Sequence, residues 1–176
     1  NIDLQNQQGE TALFASSLRG YVDIARLLIE SGANIDIQDK RGLTALIVTS
    51  FNGCEQIAVL LLGAGANKDR QDKHGETALM VASLRGHANI VRLLIQADAN
   101  KDRQDRSGLT ALMRASQYRH THIVRLLLDS GANIDLQNNW GWTALSVAQI
   151  HGYNEIVQML QQEIERRQME QQDIRI

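Results

Sequence analysis

Apolar residues along the chain fall into short clusters, and the clusters recur every 33 positions. Isoleucine stands at 24, 57, 90, 123 and 156, and leucine at 28, 61, 94, 127 and 160. Polar columns keep the same period. Rows opening at Asn1, Asn34, Asn67, Asn100 and Asn133 all read Asn-x-Asp-x-Gln. Each then reaches a Gly-x-Thr-Ala-Leu segment, with Gly9, Gly42, Gly75, Gly108 and Gly141 in one column and Thr11, Thr44, Thr77, Thr110 and Thr143 in another. Five such rows fill residues 1–165 and leave a tail of eleven. Self-similarity at this period marks a repeat array and overrides purely local assignments.

Within a row the pattern predicts turn, helix, turn, helix. Asp72-Lys73-His74-Gly75 has turn chemistry, with Asx first and Gly fourth. Thr77 stands where an N-cap belongs, ahead of an Ala/Leu-rich run to Leu84, and Gly86 occupies the left-handed stop. In the second helix Ile90, Leu93 and Leu94 lie at i, i+3 and i+4, making one apolar face. Loops ending in Gly-Ala (Gly32-Ala33, Gly65-Ala66, Gly131-Ala132) lead to the next row. The expectation is an all-α chain with ten main helices, two per row. One such unit cannot bury its own apolar face, so neighbouring rows must stack into a continuous core.

In period and in the place of its Thr-x-Leu motif, this pattern resembles the ankyrin repeat, whose signature is T-P-L-H-x-A. Alanine replaces the family's Pro in every row, and its His is replaced by Phe14, Ile47, Met80, Met113 and Ser146. The resemblance implies repeats at 1–33, 34–66, 67–99, 100–132 and 133–165, with a helical tail over 166–176. It implies a curved ankyrin-repeat solenoid with first helices on the concave side and short, β-hairpin-like turn fingers between helix pairs. It also implies a non-catalytic scaffold that binds a protein partner through the concave face and finger tips. Carried over column by column, the tips supply Lys40, Arg41, Leu43, Lys73, His74, Arg106, Leu109, Trp140 and Trp142. The ends of the first helices supply Phe51, Leu84, Arg85, Tyr118 and Ile150. Four of the seven aromatics in the chain (Phe51, Tyr118, Trp140, Trp142) fall in these variable columns, and aromatics and Arg are enriched in binding hot spots. The alternative is a structural spacer or a positioning module of a larger protein, with any catalytic domain outside this segment.

The end rows differ. Row one carries Phe14, Leu18, Ile24, Leu27 and Leu28 like an internal row, with no polar replacement on its outward side. Further repeats ahead of Asn1, or weak self-association of an otherwise monomeric chain, is the expectation there. Row five turns polar after Leu160, at Gln161, Gln162 and Glu163, and the tail reads as an extended capping helix with Glu163 and Arg167 at i, i+4.

Composition narrows the function classes. A lone cysteine, Cys54, excludes a disulfide framework and fits a reducing, cytoplasmic setting. No charged-then-apolar leader opens the chain, and the apolar stretch 58–66 is too short to cross a bilayer, so no membrane role is expected. No phosphate-binding loop, dinucleotide fingerprint or H-E-x-x-H occurs, so neither catalysis nor a cofactor is expected. His120 and His122 diverge on a helix with no cysteine nearby, which disfavours a metal site. A pI of 6.2 speaks against nucleic acid.

Charge is uneven beneath the net −2: residues 67–132 carry eleven Lys/Arg and seven Asp/Glu, the remainder seven and thirteen. Lys68, Arg70, Lys101 and Arg103, with Lys73 and Arg106, would steer an acidic partner, although Asp69, Asp72, Asp102 and Asp105 among them should blunt the field. A column of Gln5, Gln38, Gln71, Gln104 and Gln137 predicts a ladder of amide hydrogen bonds. Row four breaks two local rules. Arg119 replaces the inter-helix Gly, and Arg114 sits in a column of Ala15, Val48, Val81 and Val147, where a half-buried cation needs a partner.

Overall fold

Threonine hydroxyls start the first helix of every pair. Thr11, Thr44, Thr77, Thr110 and Thr143 are extended at φ between −87° and −98°, and each side chain accepts from the backbone N–H three residues on. The computed structural model describes residues 1–173. Among these residues the elements are α1 (Ala12–Arg19), α2 (Val22–Glu30), α3 (Ala45–Asn52), α4 (Glu55–Gly63), α5 (Ala78–Arg85), α6 (Ala88–Gln96), α7 (Ala111–Gln117), α8 (Thr121–Asp129), α9 (Ala144–Ile150) and α10 (Asn154–Asp173), with no strand. The all-α repeat solenoid expected from the sequence is what forms. Helix α10 runs through position 165 without a break, and residues 174–176 of the expected tail lie outside the described residues.

Successive pairs stack through two parallel columns, and the first helices pack more closely on each other than the second helices do. The core runs the length of the stack, through Leu13, Leu46, Leu79 and Leu112 of the first helices and Ile57, Ile90, Ile123 and Ile156 of the second, all fully buried. Ile24 shares the column of those four isoleucines yet is 52% exposed, and Tyr21 and Leu27 beside it are also exposed. Among the described residues α2 packs on α1 and α4, and its outer face is left bare.

The fingers are built by side chains acting on backbone. Asp39 Oδ1 accepts from the N–H groups of Arg41 and Leu43, and Asp72, Asp105 and Asn138 repeat the arrangement in the next three fingers. One backbone bond locks each finger to the previous one: Lys40 N–H to Gln8, Lys73 to Arg41, Arg106 to His74 and Asn139 to Ser107, at 2.9–3.0 Å. The glutamine column forms a ladder of amide hydrogen bonds, with backbone carbonyls as the acceptors. Gln38 Nε2 donates to the Gly42 carbonyl of its own row (2.6 Å) and to the Gln71 backbone carbonyl of the next (3.0 Å), not to another carboxamide. The two hydrogens on that nitrogen fit two backbone carbonyls that would otherwise lack donors. Gln5, Gln71 and Gln104 do the same.

Arg119 is left-handed, at φ 60°, where the equivalent Gly53 and Gly86 have φ 78° and 80°. In those two rows the histidine of the next row, His87 or His120, contacts the carbonyl of Phe51 or Leu84 at 3.1 or 3.0 Å, and its ring lies over the glycine. A Cβ there would meet that ring at 2.6 or 2.7 Å. Arg119 has a Cβ, and the next row correspondingly carries Tyr153, with the guanidinium 5.9 Å from the Tyr153 ring. Tyr153 shares its column with Tyr21, Cys54, His87 and His120, so Arg119 stands where the next row brings no histidine ring. Gly86→Ala should destabilise by more than the ~1 kcal/mol of left-handed strain, since it also displaces His120. Arg119→Gly should instead stabilise by about 1 kcal/mol. Thermal unfolding of both variants checks the opposite signs.

Candidate functional site

The fingers and the ends of the first helices converge on one face, and apolar side chains divide it into two grooves. The first, of about 290 Å³, lies between the fourth and fifth fingers and is walled by Leu109, Gln117, Trp140, Trp142, Val147 and Ile150. Trp140 and Trp142 stand with ring centroids 6.0 Å apart, tilted by 34°. They remain 61% and 44% exposed, because the Asn138 turn spends its hydrogen bonds on their backbone N–H groups and leaves the indoles outside. The second groove, of about 240 Å³, is lined by Leu18, Leu43, Val48, Phe51 and Val81, with Arg41 and Glu76 at its rim. Arg85 stacks its guanidinium 4.3 Å above the Phe51 ring, a cation–π contact that holds both side chains in place.

Between the grooves lies an ion cluster spanning two rows. Arg114 Nη2 on α7 donates to Glu76 Oε1 of the third finger at 2.6 Å and to Asp105 Oδ2 of the fourth at 2.7 Å. The partner that Arg114 required is thus a pair of carboxylates, one of them 38 positions away. Burial pushes the Glu76 carboxyl above its ordinary value of 4.5 despite the nearby guanidinium, because desolvation outweighs the attraction of Arg114.

The expected binding residues are distributed as follows. Lys40, Arg41, Lys73, His74 and Arg106 project from the tips of fingers two to four and are exposed. Leu109, Trp140, Trp142 and Ile150 come together in the first groove, Arg41, Leu43 and Phe51 in the second. Leu84, half-buried, and Tyr118, exposed, line neither groove. Sequence reasoning missed Glu76 as a member of the ion cluster and Asn138 as the buried support of the tryptophan turn. The signal for Glu76 was the charged Arg114 in an apolar column, but pairing it with a residue in another row needs the stack.

Elsewhere two of the five histidines contact backbone carbonyls. His87 and His120 reach the preceding row's carbonyls, and His122 lies 3.4 Å from Arg92. Among the described residues no three His, Cys, Asp or Glu side chains gather in a way that could hold a metal ion, and no helix is long and apolar enough to cross a membrane.

Stacked helix pairs, a continuous core and projecting turns define a helical repeat array. The family model for ankyrin repeats matches in three overlapping copies, over residues 1–72, 49–138 and 79–173. The chain belongs to the ankyrin-repeat family, whose members are generally protein–protein interaction modules and typically non-catalytic. Among curated proteins, none matches the chain significantly.

Proposed function

We propose that this chain is a non-catalytic scaffold that binds one partner protein through its concave face and finger tips. The observation that carries the reading is the exposure of Phe51, Tyr118, Trp140, Trp142 and Ile150 on one face of a chain poor in aromatics. Large apolar side chains held in water by rigid turns and helix ends are the raw material of binding hot spots. An intracellular setting accompanies the reading, since Cys54 is a free thiol.

Alanine at Trp142, Phe51 or Tyr118 should each change folding stability by no more than about 0.5 kcal/mol, since the side chains are exposed. A hot-spot position among them should weaken partner binding by about thirtyfold or more. Calorimetric titration with a partner recovered on the intact array, alongside urea unfolding of each variant, checks this. Variants that unfold more easily yet bind normally would make these aromatics packing residues and end the reading.

One observation favours a second reading, a positioning module within a larger assembly. The bare α2 face carries Tyr21, Ile24 and Leu27, an apolar patch of the type that a neighbouring helix pair covers in the other rows.

A further inference from the structure

The tips of fingers two to four look electrically balanced in sequence, with Asp39, Asp72, Asp105 and Glu76 set among Lys40, Arg41, Lys73 and Arg106. Folding separates the signs. The Asp39 and Asp105 side chains are 1% and 3% exposed, while that of Arg41, the ion-pair partner of Asp39, is 64% exposed. Asp39, Asp72 and Asp105 turn inward to accept backbone N–H groups of their own turns, and Asp105 and Glu76 also hold Arg114. Lys40, Lys73 and Arg106 point outward, and among the described residues no salt bridge reaches them. Of the carboxylates expected to blunt the field, Asp105 is buried, Asp69 and Asp72 are half-buried and Asp102 stays exposed, so at the tips of fingers two to four the cations are the more exposed charges. Because one backbone hydrogen bond locks each finger to the next, the cations form a single row, and that row ends at the tryptophan finger.

The tryptophan groove itself asks for more than an oily plug. Gln117 Oε1 and Arg114 Nε, buried atoms of α7 side chains that help wall it, have no hydrogen-bond partner among the described residues. An occupant that brings an N–H satisfies Gln117 Oε1 after a turn of that side chain, and a peptide carries one beside each side chain.

We propose that the partner segment is an acidic peptide with an aromatic or large aliphatic anchor. The anchor enters the groove between the fourth and fifth fingers, against Trp140 and Trp142, and an adjoining run of Asp and Glu lies along fingers four, three and two, over Arg106, Lys73 and Lys40. The inference rests on the protein-binding reading above and adds the chemistry of the partner. Helix pairs spaced by about 8–10 Å put the fifth finger some 24–30 Å from the second. At about 3.3 Å per extended residue, the segment is about seven to nine residues long. The tips are exposed, so the acidic half of the contact is screened by salt while the anchor half is not.

The test pans a random twelve-residue peptide library, displayed on phage, against the full chain at low salt. Enriched peptides are then synthesised and titrated by tryptophan fluorescence. The expected peptides carry an Asp/Glu run beside a Trp, Phe or Leu. Their affinity should fall about tenfold or more on Lys73→Glu/Arg106→Glu, and again on Trp142→Ala or Trp140→Ala, with helical circular dichroism unchanged. Raising salt to ~0.5 M should weaken the wild type and leave the charge-reversed variant nearly unaffected.

Neutral or basic peptides that still depend on Trp142 would overturn the acidic inference and leave the protein-binding reading standing. No enrichment, or peptides indifferent to both sets of variants, would overturn both. A twelve-residue oligothymidylate that displaces the peptides and quenches the tryptophans more tightly than they do would overturn the inference in favour of single-stranded nucleic acid.

Discussion

Ile90→Ala should cost about 2–5 kcal/mol of stability, while Ile24→Ala, the same substitution in the same column, should stay within about 0.5 kcal/mol. Ile90 on α6 has no exposed surface and fills the space between α4 and α8, whereas Ile24 on α2 is half in water. Truncation of Ile90 loses its transfer free energy and leaves a cavity in a close-packed interior, whereas truncation of Ile24 loses less of the first and leaves no enclosed cavity. In a linear array stability is a sum of row and nearest-neighbour terms, so a defect in the middle row weakens both of its interfaces. Urea unfolding of Ile90→Ala followed by circular dichroism should therefore show an earlier and broader transition, with loss of two-state behaviour. If Ile24→Ala is as costly as Ile90→Ala, the α2 face is covered in solution, and its stability should then depend on protein concentration.

Arg114→Val should cost about 2–4 kcal/mol, although valine stands in the same column at Val48, Val81 and Val147. The side chains of Arg114, Glu76 and Asp105 are 16%, 22% and 3% exposed, so removing the guanidinium strands two carboxylates in poor solvent. The partial exposure of Glu76 keeps the cost below that of a fully buried pair. Adding Glu76→Leu should recover more than half of the loss. Leu43 and Val81 occupy the same two columns one row earlier and line a groove together without a charge. A double-mutant cycle in urea measures the coupling, and equal costs for the single and double variants would show that the cluster is not a unit.

The pH dependence has a definite sign. The folded-state pKa of Glu76 lies above its ordinary 4.5, so its contribution to stability is fully present below that value and is lost as pH rises through the raised one. Relative to Glu76→Gln, the wild type should therefore gain stability as pH falls from neutral toward 4.5. With Arg114 replaced, desolvation acts unopposed and the same gain should begin at higher pH.

Much of this protein was written in single residues. The Thr columns predicted the helix starts, Gly53 and Gly86 the left-handed stops, and the isoleucine and leucine columns the buried seam, because caps, positive φ and periodic burial are properties of a residue and its immediate neighbours. Family membership followed from the period, and the tip residues followed from the columns left variable within it. Three features depended on contact between rows. Arg119 is tolerated because Tyr153 of the next row carries no histidine ring across its Cβ. Arg114 is tolerated because the third and fourth fingers each bring a carboxylate to it. The outward charge of the fingers is positive because their turns draw Asp39 and Asp105 into the backbone, a selection by burial that a count of charges does not contain. Local chemistry determined the elements, and the stack decided which charges meet each other and which face the partner.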